Sequence, residues 1–338
     1  MSRRTTSLVA AGVLAVALGV LGSAVPVPMV ALGPGPTYDT LGEVDGTPVV
    51  SVDGLSTYPT SGQLNMTTVA VSDRLTLFTM LGFWLSGDRQ VVPRDQVFPP
   101  EKTDEEVQQE NSQQFAASEV NAEVAAMAEL GIPTRVVIDE LVDGSPAAGS
   151  LEVGDELVAV SGRPVDSPVS LSQALADTTP GEEVTVTYRR SGEEGRAAIV
   201  LGSSPDRQQG LLGVRPGVEP RDGDIAIRLG DIGGPFAGLM FALAVVDKLS
   251  PGELTGGRFV AGTGAITPDG VVQPIGGIPF KMDAARTAGA EVFLVPEANC
   301  VEALATVPDG LQLVRVTTLD EAVGGLDALR EGRAAPTC

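Results

Sequence analysis

No histidine occurs among the 338 residues, and this decides which hydrolytic chemistry the chain can carry. A Ser-His-Asp triad, a Cys-His dyad and a His-ligated metal site are all excluded. What remains is a lysine acting as base, or a pair of carboxylates. Lysine is scarce and confined to Lys102, Lys248 and Lys281. None lies in a G-x-x-x-x-G-K-[ST] loop, so the nucleotide-binding signature of an ATPase is absent and no ATP is expected. Lys281 closes the block Pro274–Lys281 (PIGGIPFK). Two more glycine-rich blocks precede it: Gly230–Met240 (GDIGGPFAGLM), and Ala261–Ile266 (AGTGAI) followed by Asp269-Gly270. A lysine kept out of water loses its proton near neutral pH and can serve as a general base. The plain alternative for Lys281 is an ammonium at the surface of a helix. Asp231, beside the Gly-Gly pair, reads as a capping or dipole partner. No metal and no cofactor is suggested.

The elements that must position these blocks follow from periodicity. After Pro205–Gln209, a polar linker, residues 210–330 alternate strands and helices, with strands at Val292–Val295 and Leu313–Val316 and helices at Phe280–Ala288 and Leu319–Leu329. An apolar helix runs on from Met240 to Leu249. Upstream, Thr47–Val52 and Met66–Ser72 read as strands. Asp73–Leu85 reads as a helix with Asp73 as N-cap. Thr103–Glu106 has capping-box form and opens a long polar helix to about Leu130, with an apolar stripe of Val107, Phe115, Val120, Val124 and Met127. Residues 133–201 switch to short strands and turns: Arg135–Leu141, Val158–Val160, Val184–Arg189 and Arg196–Leu201, with a helix at Ser170–Leu175.

Within that stretch, the turn Val142–Gly149 (VDGSPAAG), then Gly154–Leu157 (GDEL) and the strand Ala159–Val165 (AVSGRPV), together resemble PDZ domains of the protease-associated type. Such domains add a peptide as an extra strand and hold its carboxylate with backbone amides. The resemblance places the carboxylate loop before Arg135–Leu141, with Gly131, Ile132 and Arg135 as peptide-binding residues. The bland reading is a PDZ fold used as a spacer.

The three glycine-rich blocks, in order and spacing, resemble the proteolytic domain of Lon proteases over about 120 residues. The whole arrangement resembles a subgroup of membrane-anchored PDZ–Lon-type peptidases that lack the ATPase ring. In that family a Gly-Pro-Ser-Ala-Gly turn presents a nucleophilic serine, and a lysine after Pro-Ile-Gly-Gly takes its proton. The resemblance implies that Lys281 is the general base, that Thr263 orients it, and that the turn at Gly234, Pro235 and Ala237 serves the oxyanion. Phe236 stands where the serine belongs, and a benzyl group cannot attack a carbonyl. Loss of the nucleophile removes on the order of 10⁶ in rate. Three accounts follow: a pseudopeptidase that binds peptides, an altered or misread position, or another nucleophile such as Thr263. The rival function is an active, ATP-independent Ser-Lys endopeptidase in membrane or exported protein quality control.

Arg3 and Arg4 precede a stretch without charge to Asp39, helical from about Leu8 to Ala24 before Pro26 and Pro28. It reads as an anchor or a removable signal peptide; the resemblance favours the anchor. The expected placement is a single-pass protein of the cell membrane, N-terminus cytoplasmic and domains extracytoplasmic. The two cysteines, Cys300 and Cys338, are then expected to form one disulfide, against two free thiols. With 22 basic against 44 acidic residues and a net charge of −22, nucleic acid is not an expected partner. Peptides or unfolded protein segments, the membrane through the N-terminal helix, and a homo-oligomer are. The expected fold class is α+β, divided into 1–32 as anchor, 33–131 as a strand–helix region, 132–204 as PDZ domain, 210–330 as Lon-type α/β domain, and 331–338 as tail.

Overall fold

The computed structural model describes residues 3–87, 89–142, 144–204, 207–230 and 233–338. Asp231 of the glycine-rich turn, Asp143 of the VDGSPAAG turn and Pro205 of the linker lie outside the described residues.

Helix α1 spans Arg3–Ala24 and packs on α2, Leu77–Ser86, where Gly22 lies so close to Phe78 that an added Cβ would come within 2.9 Å of the ring. Among the described residues no helix is long and apolar enough to cross a membrane. This overturns the expected transmembrane segment, and with it the single-pass membrane placement and the membrane as partner. The physical reason lies in length. The first turn of α1 is Arg-Arg-Thr-Thr, and the apolar part from Leu8 to Ala24 extends only about 25 Å at 1.5 Å per residue, short of the ~30 Å hydrocarbon core.

The strand order of the first six-stranded sheet is Gln312–Val316, Val292–Pro296, Phe259–Gly262, Gln63–Ser72, Met29–Asp39, Gln90–Pro93. The first four run parallel, and the last two antiparallel to their neighbours. Strands from both ends of the sequence therefore share one sheet with interleaved helices. The architecture is mixed α/β rather than α+β, because the early strands extend the later sheet instead of forming a segregated layer.

Period-two alternation divides that sheet's core. Val260, Val292 and Leu294 face one side with Leu64 and Met66. Ala261, Phe293 and Val295 face the other with Ile278 and Met282. On the first side lies α5, Gly238–Leu249, whose residues from Gly238 to Asp247 are all buried. It is covered in turn by α3, Asp104–Glu129. The Thr103/Glu106 capping box opens α3 as the sequence indicates. Of the expected stripe, Phe115 and Met127 are buried, Val124 packs against the core and Val120 is exposed, while Ser118, Ala122, Ala125 and Ala126 complete the buried face. Small side chains let α3 approach α5 closely. Likewise α2 begins later than expected. Its N-cap is Thr76, which accepts from Thr79 N–H, while Asp73 is ion-paired to Arg94 at 3.2 Å.

A second sheet is inserted between the two halves of the first. Its order is Glu193–Val200, Glu183–Arg190, Glu156–Val160, Thr134–Leu141, Val214–Pro220, with Arg163–Pro164 beside Glu156–Val160. Helix α4, Pro168–Leu175, is capped by Ser167 and lays Leu171 and Leu175 on a core of Val136, Ile138, Leu157 and Val186. Asp155 of the GDEL segment is 1% exposed and carries the Arg190 guanidinium on both oxygens at 2.7 Å. That bidentate partner holds its carboxyl below the usual carboxylate range.

Candidate active site

At the C-terminal ends of the parallel strands, the three glycine-rich blocks meet. Strand Phe259–Gly262 delivers Thr263, which is fully buried. A Cβ at Gly262 would lie 2.7 Å from Met240 Sδ and 2.9 Å from Leu294 Cβ, so a larger residue there would force its neighbours to shift. Helix α6, Ile278–Ala288, opens at Gly277, whose φ of +76° is a glycine conformation, with a proline in its first turn. One turn in, Lys281 points back toward the strand ends and is 2% exposed. The short helix α7, Cys300–Leu304, follows Asn299. The Asn299 side chain accepts from Ile275 N–H at 3.0 Å and donates to Ile275 O at 2.9 Å, fixing the loop before α6.

Lys281 Nζ donates to Thr263 Oγ1 at 2.9 Å. Thr263 Oγ1 donates onward to the Phe236 carbonyl at 3.1 Å, which also accepts Gly264 N–H at 3.0 Å. The same ammonium sits 4.1 Å from the centroid of the Phe236 ring. Burial pushes the Lys281 amine down to about 7. The aromatic face attracts the cation and opposes that shift. Among the described residues no carboxylate is paired with the ammonium, and desolvation decides the direction.

The turn itself is held from α3, a contribution the sequence does not announce. Asn111 O accepts Gly234 N–H at 2.9 Å, the Phe115 ring lies 6.5 Å from that of Phe236, and Ser118 Oγ reaches Pro235 O at 3.5 Å. The i, i+4, i+7 spacing of Asn111, Phe115 and Ser118 on one helix face is the signal that could have found them. Of the three expected oxyanion residues, Gly234 has its N–H engaged and Pro235 has none. Ala237 caps α5, and N–H groups at a helix start lack intrahelical acceptors. Thr263 as nucleophile conflicts with its environment: its hydroxyl is fully buried and committed to the Phe236 carbonyl.

Gly131, Ile132 and Arg135 lie apart from this site, at the entry to the inserted sheet. Gly131 N–H donates to Ala128 O and Ile132 N–H to Met127 O, while Arg135 pairs with Glu219 at 2.8 Å. Cys300 and Cys338 are joined in a disulfide with Cα atoms 5.2 Å apart.

Residues 104–201 match the PDZ domain, and residues 227–326 match the Lon protease (S16) C-terminal proteolytic domain. The chain carries a PDZ domain and a Lon proteolytic domain. Its relatives include Lon protease 1 of Sorangium cellulosum, 36% identical over 146 residues, covering 42% of this chain and 18% of that one. The probable periplasmic serine endoprotease DegP-like of Halomonas elongata is 30% identical over 110 residues, 32% of this chain and 23% of that one. The chain thus spans about a fifth of the length of these curated relatives. Among solved structures, the PDZ domain of the SdrC-like protein from Listeria monocytogenes superposes on 24% of this chain and 86% of that one, at 22% identity and a TM-score of 0.23. The matched PDZ segment includes α3, although α3 packs in the core of the Lon-type body.

Proposed function

We propose that this protein binds polypeptide through its PDZ and Lon-type domains and does not cleave it, because Phe236 holds the nucleophile position of a Ser-Lys dyad. The observation that carries this reading is the Phe236 ring seated over Lys281 Nζ at 4.1 Å. The base half of the site is built: a buried amine with its pKa near 7, oriented by Thr263. What faces that amine has no proton to give and no lone pair with which to attack, so no acyl-enzyme can form at this turn. The intact base is also the one observation that favours the alternative, an active Ser-Lys endopeptidase.

Turnover of a fluorogenic peptide mixture separates the two. The wild-type chain is expected at background, and Phe236→Ser is expected to raise hydrolysis by on the order of 10³-fold or more. Adding Lys281→Met to that variant returns it to background. Wild-type turnover that Lys281→Met abolishes would establish the active peptidase instead.

A further inference from the structure

We propose that Asn299 is a positioning residue for Lys281, and that the Cys300–Cys338 disulfide holds Asn299 in that role, so that reduction by a dithiol slackens the base. This rests on Lys281 as the base in the reading above. Helix α6 does not fix its own start. Among the described residues no side chain caps it, and the Lys281 N–H closes the first turn on Gly277 O at 3.1 Å. Where Gly277 sits therefore sets where the ammonium sits. Two residues upstream, the Asn299 carboxamide takes up both backbone groups of Ile275. Asn299 is buried, and a buried amide bonded through both its ends is costly to displace.

Asn299 is in turn only as well placed as α7. Its amide also reaches Glu302 Oε2 at 3.5 Å, but α7 ends at Leu304, too short a helix to hold by itself. Ala303 is buried while Val301 and Leu304 are exposed, so packing secures it weakly. The bond from its first residue to Cys338 fastens it to the C-terminal tail. That tail is itself anchored. Ala335 lies in the core, and Pro336 O accepts Arg315 N–H at 3.0 Å. Arg315 reaches back to Glu297, two residues before Asn299. Ile275, Cys300 and Cys338 pack on one apolar cluster with Ile278 and Met282, the α6 residues that flank Lys281.

Both cysteines are half-buried rather than sealed, so a thiolate can approach. One thiolate of the dithiol attacks one sulfur and forms a mixed disulfide. Its second thiolate then displaces the protein sulfur. Cys300 and Cys338 are left as two thiols, and the dithiol has lost two electrons and two protons to become a cyclic disulfide. After this exchange α7 and the tail are joined by noncovalent contacts alone. Asn299 gains freedom, the Gly277 corner loosens, and water that reaches the amine returns it toward the behaviour of an exposed lysine.

The test titrates Lys281 itself in the full chain. Trace acetylation by acetic anhydride across pH 5–11 is read by peptide mass spectrometry, with the exposed Lys102 as internal reference. Oxidised wild type is expected to give a Lys281 midpoint of about 7. Asn299→Ala, and wild type reduced with dithiothreitol, are expected to give midpoints higher by roughly one pH unit or more. Asn299→Asp keeps an acceptor for Ile275 N–H and should fall between. Cys300→Ser with Cys338→Ser should match reduced wild type and ignore the reductant. A merely structural role for these groups would lower the melting temperature without moving the native titration. An unmoved midpoint in folded Asn299→Ala, or in wild type whose two thiols are confirmed by mass, would overturn the proposal. The same changes made in Phe236→Ser should slow hydrolysis at pH 7 about fivefold for each unit the midpoint rises, through kcat rather than KM. A midpoint that moves in a Phe236→Ser chain without hydrolysis would keep the brace and remove the peptidase reading. Hydrolysis with an unmoved midpoint would do the reverse.

Discussion

Lys281 is charged or neutral at physiological pH according to how little water reaches it, and that has consequences independent of catalysis. Its folded pKa is about 7, below its value of ~10.4 in an unfolded chain. Between those values the unfolded chain binds more protons, so stability rises with pH across this window and is lost as pH falls back through it. Lys281→Met, which keeps the volume without the charge, is therefore expected to be more stable than wild type near pH 7, by roughly 1–4 kcal/mol. The advantage should shrink toward pH 10, as urea denaturation at several pH values will show. Thr263→Val tests the orienting contact. It leaves the buried amine without an acceptor and should cost about 1–3 kcal/mol by the same measurement. In a Phe236→Ser background it should also slow hydrolysis. The Lys281–Thr263 pair was legible through the resemblance of the three glycine-rich blocks to the Lon proteolytic domain. The ring stacked on the amine was not, because a sequence records which residue occupies position 236 but not where its side chain turns.

Helix α3 shows where pattern reading stopped. Its capping box and length are plain in the sequence, and Phe115 and Met127 of the expected apolar stripe are buried. The rest of the buried face uses Ser118, Ala122, Ala125 and Ala126, small residues that a stripe of large apolar side chains does not point to, and the same face reaches the Gly234–Phe236 turn. A close approach of this kind is sensitive to added volume. Gly238 lies where a Cβ would be 2.8 Å from Ile266 Cγ2 and 2.9 Å from Ser118 Oγ. Gly238→Ala is expected to cost about 1–3 kcal/mol by overpacking, despite alanine's better helix propensity, and thermal unfolding will register it. If the variant is as stable as wild type, α3 does not brace the turn as described. The late start of α2 has a simpler cause: Asp73 is drawn off by Arg94, leaving Thr76 to cap.

At the scale of the molecule, the PDZ sheet is an insertion within a sheet whose strands come from both ends of the chain. Linear reading divided the first sheet at residue 131 because strand pairing across more than 180 residues leaves no local trace. The transmembrane assignment failed at the same scale, since composition marks an apolar helix but not whether it reaches across a bilayer. The junction of the two sheets is acidic. Glu119 and Glu123 of α3 are pushed up to about 7, chiefly by burial, and Glu123 accepts Ile227 N–H at 3.2 Å. A carboxyl with a raised pKa stabilises below its unfolded value, and that contribution is lost as pH rises through about 7. Glu123→Gln should therefore flatten the fall in stability between pH 5 and 7, which calorimetry across that range will check. The most direct test of the central claim, that a complete base faces a missing nucleophile, is intact-mass spectrometry after exposure to a fluorophosphonate serine probe. One adduct is expected on Phe236→Ser, none on wild type, and none once Lys281→Met is added. A stoichiometric adduct on the wild-type chain would contradict the account.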